Sequence, residues 1–240
     1  MSRVEQMLYT GHPERWWTIA PALGFAAPYP PTPEWGMFDG GGALALHHAS
    51  ADHPAGSVHL HVQVDDLDAA ERALDGFAVT RGEMSGVGTL LTVTTREGVA
   101  LTVAARPAHA MPDDPEVAVE PIWFANDLDE PRRILEALGF RAGIVGDAGG
   151  WVELTAPGGG MVALHALGSA ETADEASIGL SFLARGDLDA LAERIRAAGV
   201  DAAVIDEAFG RTIRFPHPDG GHEVWINGLQ DDLHGYHREG

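Results

Sequence analysis

Residues 4–25 and residues 119–140 are one passage written twice, and this repeat constrains the fold more than any other feature of the chain. A shift of 115 positions lays Val4 and Glu5 on Val119 and Glu120, and Ala22-Leu23-Gly24-Phe25 on Ala137-Leu138-Gly139-Phe140, without a gap. At a shift of 116, Trp35 falls on Trp151, and at 118 Gly41-Gly42-Ala43-Leu44-Ala45-Leu46-His47 falls on Gly159-Gly160-Met161-Val162-Ala163-Leu164-His165. Each copy is long enough to enclose its own core, so the period marks a duplicated domain and not a stack of short repeats.

Composition narrows what the two copies can do. With 240 residues, 45% of them hydrophobic, there is material for two ordinary cores. No apolar run is long enough to span a bilayer, and Met1-Ser2-Arg3-Val4-Glu5 lacks a basic region followed by an apolar one, so a cytoplasmic protein without membrane contact is expected. The absence of cysteine excludes disulfides, thiolate zinc sites and cysteine nucleophiles, leaving His, Asp and Glu for any metal. The formal net charge is -21 and all 15 basic residues are arginine. Such a field repels nucleic acid and attracts a cationic small molecule. A GC-rich or salt-adapted genome accounts for the same bias.

Periodicity yields a strand, a helix and further strands, four times over. Strands are predicted at residues 4–9, 35–38, 43–48, 57–64, 89–95 and 99–104 in the first copy, and at 119–125, 151–155, 161–166, 177–184, 211–215 and 222–227 in the second. Helices are predicted at 12–23, 67–74, 129–138 and 187–198. Asp65 or Asp66 can cap the second helix, Pro21 sits awkwardly inside the first, and Leu188, Leu191, Ala192 and Ile195 form one apolar stripe on the fourth. The glycine runs Asp39-Gly40-Gly41-Gly42 and Gly158-Gly159-Gly160 precede strands and not helices, so they read as hairpin turns and not phosphate cradles. No strained serine elbow is present.

In residues 57–64 the alternation separates Val58, Leu60, Val62 and Val64 from His59, His61 and Gln63. The valine face belongs against the helix. The imidazoles and the amide would be left unpaired there, so they are expected to point into a solvated concavity.

Taken in order, Val64-Asp65-Asp66-Leu67-Asp68 and Gly186-Asp187-Leu188-Asp189 entering helices, and Phe215-Pro216-His217-Pro218-Asp219-Gly220 before a last strand, resemble the vicinal oxygen chelate superfamily of glyoxalases, bleomycin-resistance proteins and extradiol dioxygenases. The resemblance implies an α+β fold of two tandem domains, each a pair of βαβββ modules curling around a cleft that holds a divalent metal or an organic ligand. The first domain is then residues 1–106, with modules 1–48 and 56–106. A linker at 107–117 leads to the second domain at 118–228, with modules 118–168 and 176–228, and a frayed tail follows at 229–240.

The resemblance also implies ligand positions near the start of each module's first strand and the end of its last. In the first half these are Glu5, His59, Ala45 and Thr102; in the second, Glu120, Gly179, Ala163 and Trp225, which do not make a ligand set. Glu5 and His59 give two donors, and His47 or His61 is the candidate third for zinc, iron or nickel. His48 and His53 are read as surface groups. Tyr9, Trp35, His47, His59, His61, Gln63, Thr102, Trp151, His165 and Trp225 are the residues expected to line a binding cleft, with the tryptophans as walls for a planar guest.

The expected function is that of a metal-independent binder of a small, cationic aromatic molecule, such as a drug-sequestering resistance protein, acting as a monomer whose duplication supplies an internal pseudo-dimer. The alternative is a metal-dependent lyase, isomerase or dioxygenase with its ion in the first half.

Overall fold

The computed structural model describes residues 1–84, 86–106, 115–168, 175–207, 210–230 and 232–239. Most of the expected linker, 107–114, lies outside the described residues. The rest is α+β, and the four helices fall within a residue or two of the predicted ranges: α1 (Pro13–Ala22), α2 (Leu67–Ala73), α3 (Asp129–Ala137) and α4 (Leu188–Ala197). Asp66 caps α2 through the Ala69 N–H, and Asp187 caps α4 through the Asp189 and Ala190 N–H groups. The apolar stripe of α4 is buried as its spacing predicts. Pro21 is accommodated in the last turn of α1. Among the described residues no helix is long and apolar enough to cross a membrane.

The first half forms one seven-stranded sheet. At its centre β1 (Ser2–Thr10) runs antiparallel to β4 (Val58–Val64) in unbroken register from Ser2↔Val64 to Leu8↔Val58. On the β1 side lie β3 (Gly42–His48) and β2 (Trp35–Gly40); on the β4 side lie β7 (Ala100–Ala105), β6 (Gly88–Thr94) and β5 (Ala78–Met84). The first module therefore has three strands, because Ala26 makes no more than an isolated bridge to Asp39 where the family pattern would place another.

The second half is wound the same way but its centre is broken. The first strand of its first module splits into β8 (Val117–Val119) and β9 (Ile122–Ala125), and that of its second module into β13 (Ser177–Gly179) and β14 (Ser181–Ala184). Pro121 has no N–H to continue a ladder, so the strand must break beside Glu120. The consequence is two separate sheets. One holds β13, β9, β12 (Met161–Ala166), β11 (Trp151–Thr155), β10 (Arg141–Gly146) and β18 (Tyr236–Arg238); the other holds β15 (Ala203–Glu207), β16 (Gly210–Pro216), β17 (Glu223–Gly228), β14 and β8. The expected frayed tail is corrected here: Tyr236, His237 and Arg238 pair with Gly146, Val145 and Ile144, so the chain crosses from β17 to the far edge of the neighbouring sheet.

A single apolar core runs through both halves, from Val4 and Trp16 to Phe215 and Ile226. The halves join through the repeated glycines. Gly41 exchanges backbone hydrogen bonds with Val117 and Val119, while Ser2 and Val4 do so with Gly158 and Gly159. Gly42 and Gly160, equivalent in the repeat, both have positive φ; a Cβ on Gly42 would meet Val119 Cγ2 at 2.5 Å, and one on Gly160 would meet Val4 Cβ at 2.7 Å. Two hairpin turns complete a reciprocal clasp. Asp219 accepts the Gly11 N–H at 2.7 Å ahead of α1, and Glu97 accepts the Asn126 and Asp127 N–H groups at 3.0 Å ahead of α3.

Candidate functional site

The two halves treat their concave faces differently. In the first, Arg3 is fully buried, donates to Asp39 at 2.6 Å and to the Gly42 carbonyl at 2.7 Å, and reaches Gln63 Oε1 at 3.3 Å. Gln63 also donates to Glu5, and the His61 and Thr102 side chains share a hydrogen bond of 2.7 Å. Met37, Ala43 and Ala45 pack above this floor with Met7 and Trp35. His61 and Gln63 thus face inward as their alternation predicts, but into a filled interior and not a solvated hollow.

Nearer the rim, Tyr9 is stacked between His53 at 4.3 Å and His47 at 5.3 Å, with His59 edge-on at 5.1 Å. His53, expected as a bare surface group, is therefore part of this cluster, while His48 is exposed as expected. Trp35 lies edge-on to His47 at 4.4 Å and donates to Tyr29. Burial lowers the pKa of His47 and His59, and the charge of His53 adds to this, so the rings are held neutral. Glu5 is not with them. It stands opposite His61 on β4, whereas His59 is opposite Met7, and His47 is opposite Tyr9 on β3. At the rise of a strand those rows are roughly 7 and 13 Å away along β1, too far for Glu5, His47 and His59 to share one ion. Among the described residues, no group of three His, Asp or Glu side chains is placed to hold a metal.

The second half keeps its face open as a cleft of ≈ 1110 Å³. Trp151, His165 and Trp225, predicted from the sequence, all line it, together with Phe124 and Tyr236. The repeat holds in detail: Trp151 stands directly opposite His165 as Trp35 stands opposite His47. His165 lies edge-on to Trp151 at 5.6 Å, and its Nδ1 is 2.8 Å from the Ala166 carbonyl, which can only accept. The Nε2 lone pair is therefore the free one. The guanidinium of Arg214 lies 3.9 Å over the Trp225 ring and is tied to Glu207.

Four glutamates line the same space: Glu120, Glu153, Glu175 and Glu223. Glu120 sits at the strand break, 1% exposed, with Oε2 accepting the Asn227 amide at 2.8 Å. Burial pushes its pKa up to about 8, the charge of Glu153 pushes the same way, and the Asn227 hydrogen bond opposes both. Burial raises Glu153 as well. The carboxyl at the floor of the cleft therefore keeps its proton to a higher pH than an ordinary glutamate does. Opposite Ile122, Gly179 offers no donor, and the remaining family positions hold Ala163 and Trp225, so the donor set does not fit a divalent ion.

Of the groups at this site, Glu120 was legible through its repeat partner Glu5. Asn227, Glu153 and Tyr236 carry no comparable signal, because what brings them together is the pairing of strands far apart in sequence.

No protein-family model and no curated protein matches the chain. Solved structures do. A catechol 2,3-dioxygenase superposes with a TM-score of 0.62 at 13% identity, over 95% of this chain and 87% of that one. The Mn(II)-bound glyoxalase from Novosphingobium aromaticivorans gives 0.61 at 14%, over 96% and 84%. Homoprotocatechuate 2,3-dioxygenase from Arthrobacter globiformis gives 0.62 at 16%, over 99% and 80%. The chain has the vicinal oxygen chelate fold, as its motifs led one to expect. Likeness at this identity establishes the architecture and nothing narrower.

Proposed function

We propose that the chain binds a small, flat, cationic organic molecule in the cleft of its second half, without a resident metal ion. The lining carries this reading: four glutamates and the rings of Phe124, Trp151, Trp225 and Tyr236, with no arginine among the described residues that line it. Aromatic walls supply apolar area and stacking, and the excess of acids over bases around the cleft, with Arg214 facing Glu223 at 4.0 Å, selects the sign of the guest. The volume is at or above the upper end of the range typical of small-molecule sites, roughly 300–1,000 Å³. The finer form of this proposal is a drug-sequestering protein of antibiotic resistance, cytoplasmic and monomeric, whose duplication makes an internal pseudo-dimer. Sequestration requires affinity alone, so the donor set at the cleft floor is no obstacle. Titration with cationic aromatic antibiotics, bleomycin among them, should quench tryptophan fluorescence saturably, and Trp225→Ala should reduce the effect. Loss of saturable quenching with the whole set removes the resistance reading.

The rival reading, a metal-dependent lyase, isomerase or dioxygenase, is supported by the dioxygenases and the glyoxalase that share the fold. Elemental analysis of protein purified without chelators separates the two. Retention of about one equivalent of transition metal, with thermal stabilisation on adding more, would favour the enzyme.

A further inference from the structure

The floor of the cleft has a hydrogen-bonding polarity of its own, apart from its charge. Asn227 turns its amide nitrogen to Glu120 Oε2 at 2.8 Å and to Ser181 Oγ at 3.4 Å, which leaves its carbonyl oxygen without a partner among the described residues. Glu120 Oε1 is likewise without a partner there, although the residue is 1% exposed and lines the cleft. Glu153 projects from the same face. It stands opposite Ala163 on β11 and β12, and Ala163 stands opposite Ile122 on β9, so a methyl group is all that separates Glu153 from the strand that leads out of Glu120. His165, one step along β12, presents the lone pair of Nε2. Glu120, Glu153 and Asn227 can each accept a hydrogen bond and line one cleft with the aromatic walls, while His165, opposite Phe124, stands farther along the strand from Glu120.

We infer that this floor is the seat of an N–H-bearing cation: a primary ammonium, amidinium or guanidinium whose protons go to Glu120 Oε1, Asn227 Oδ1 and Glu153, while its aromatic body lies against Trp151 and Trp225. A quaternary ammonium brings charge but no proton, and would offer these acceptors no hydrogen bond. The inference rests on the proposed binding reading and names the chemical class of its guest. The groups facing Glu120 are Asn227 from β17, Ser181 from β14 and Glu153 from β11, none of them cationic; the nearest arginine influence falls on Glu153, from Arg238 of β18. Without a guest the acid keeps its proton. An arriving cation supplies the missing countercharge, so Glu120 gives that proton to solvent as the N–H···O bonds form, and each bound guest releases up to one proton.

The test compares three probes on one scaffold with the full chain: 2-naphthylmethylamine, its N,N,N-trimethyl derivative and 2-naphthylmethanol, by tryptophan quenching and by calorimetry in buffers of differing ionisation enthalpy. The amine is expected to bind more tightly than either of the others by about tenfold or more, as charge-assisted hydrogen bonds provide, and to release protons. Glu120→Gln should remove the proton release and most of that preference. Equal affinity for the amine and the trimethyl compound overturns the inference in the native protein, whether or not the variant folds, and leaves the cation-binding reading intact. Equal affinity for the alcohol and both cations, or no saturable binding of either cation, overturns both.

Discussion

Glu5 and Glu120 are the same residue of the repeat in two different surroundings, and the contrast explains why one half is closed and the other open. Each accepts a hydrogen bond from a side-chain amide, Gln63 in the first half and Asn227 in the second. Around Glu5 the central strands run unbroken, and Arg3, Met7, Met37 and Trp35 fill the face. Around Glu120 the strands break, Met37 is replaced by Glu153, and Gly179 stands where His59 would. One copy is therefore a packed support while the other holds a hollow. Packing density makes these alternatives exclusive, because a face sealed at the density of a protein interior leaves no room for a guest.

The largest expected effect tests the closed half. Arg3 and Asp39 form an ion pair with both side chains nearly sealed from water, so Asp39→Ala strands a buried guanidinium and should cost about 3–5 kcal/mol in chemical denaturation. The corresponding residue of the second half, Thr155, is exposed, and Thr155→Ala should stay within about 0.5 kcal/mol. Similar losses at the two sites would mean that the halves are not differently packed.

Exchanging the residues that distinguish the two faces sharpens the comparison. Met37→Ala leaves a cavity in the filled face and should cost about 2–4 kcal/mol. Glu153→Met, which writes the first half's residue into the second, removes a half-buried acid and should stabilise by about 1 kcal/mol while weakening the amine probe. If Glu153→Met destabilises instead, the carboxyl is a structural partner and the cleft floor has been misassigned.

The pH dependence of stability separates Glu120 from an ordinary surface acid. Its folded pKa, about 8, lies above the ordinary 4.5, so between those values the native state holds a proton that the unfolded chain has released. Its contribution is fully present below pH 4.5, falls with rising pH by about 1.4 kcal/mol per unit, and is gone above pH 8. Glu120→Gln should abolish that slope, measured as the difference in unfolding free energy between the two proteins across the window. Parallel curves would show that Glu120 is ionised in the fold.

Much of this architecture could be read from the residues. Sequence pattern placed the four helices, with the apolar stripe clearest in α4, alternation sorted β4 into its two faces, and the repeat set Trp35 and Trp151 at equivalent positions, which the structure puts opposite His47 and His165. Strands β5, β10 and β15 were not legible. β5, mostly exposed at a sheet edge, has little alternating apolar pattern to detect, and β15 is a five-residue edge strand with acids at its end. β18 is held by pairing to a strand about 90 residues earlier, and nothing local announces it. Of the lining residues expected from the sequence, Trp151, His165 and Trp225 border the cleft, while those of the first half lie elsewhere. Inward-facing imidazoles and indoles do not reveal whether the space before them is empty, since that depends on what distant strands contribute and on the interruption at Pro121.

The smallest expected effect concerns how the halves hold one another. Asp187 caps its own helix, so Asp187→Ala should cost about 1 kcal/mol and speed hydrogen exchange in the first turn of α4 alone. Glu97 looks equivalent in chemistry, an acid accepting backbone N–H groups ahead of a helix, but it reaches from the β6–β7 turn of the first half to Asn126 and Asp127 of the second. Glu97→Ala should cost a similar 1 kcal/mol or so, because each acid caps backbone N–H groups, yet its exchange signature should appear on both sides of the boundary: at Asn126 and Asp127, and at the turn holding Gly98. Asp219→Ala should do the same at Gly11 across the opposite contact. If exchange after Glu97→Ala rises at one side only, the clasp does not couple the halves, and their union rests on the glycine contacts and the shared apolar core.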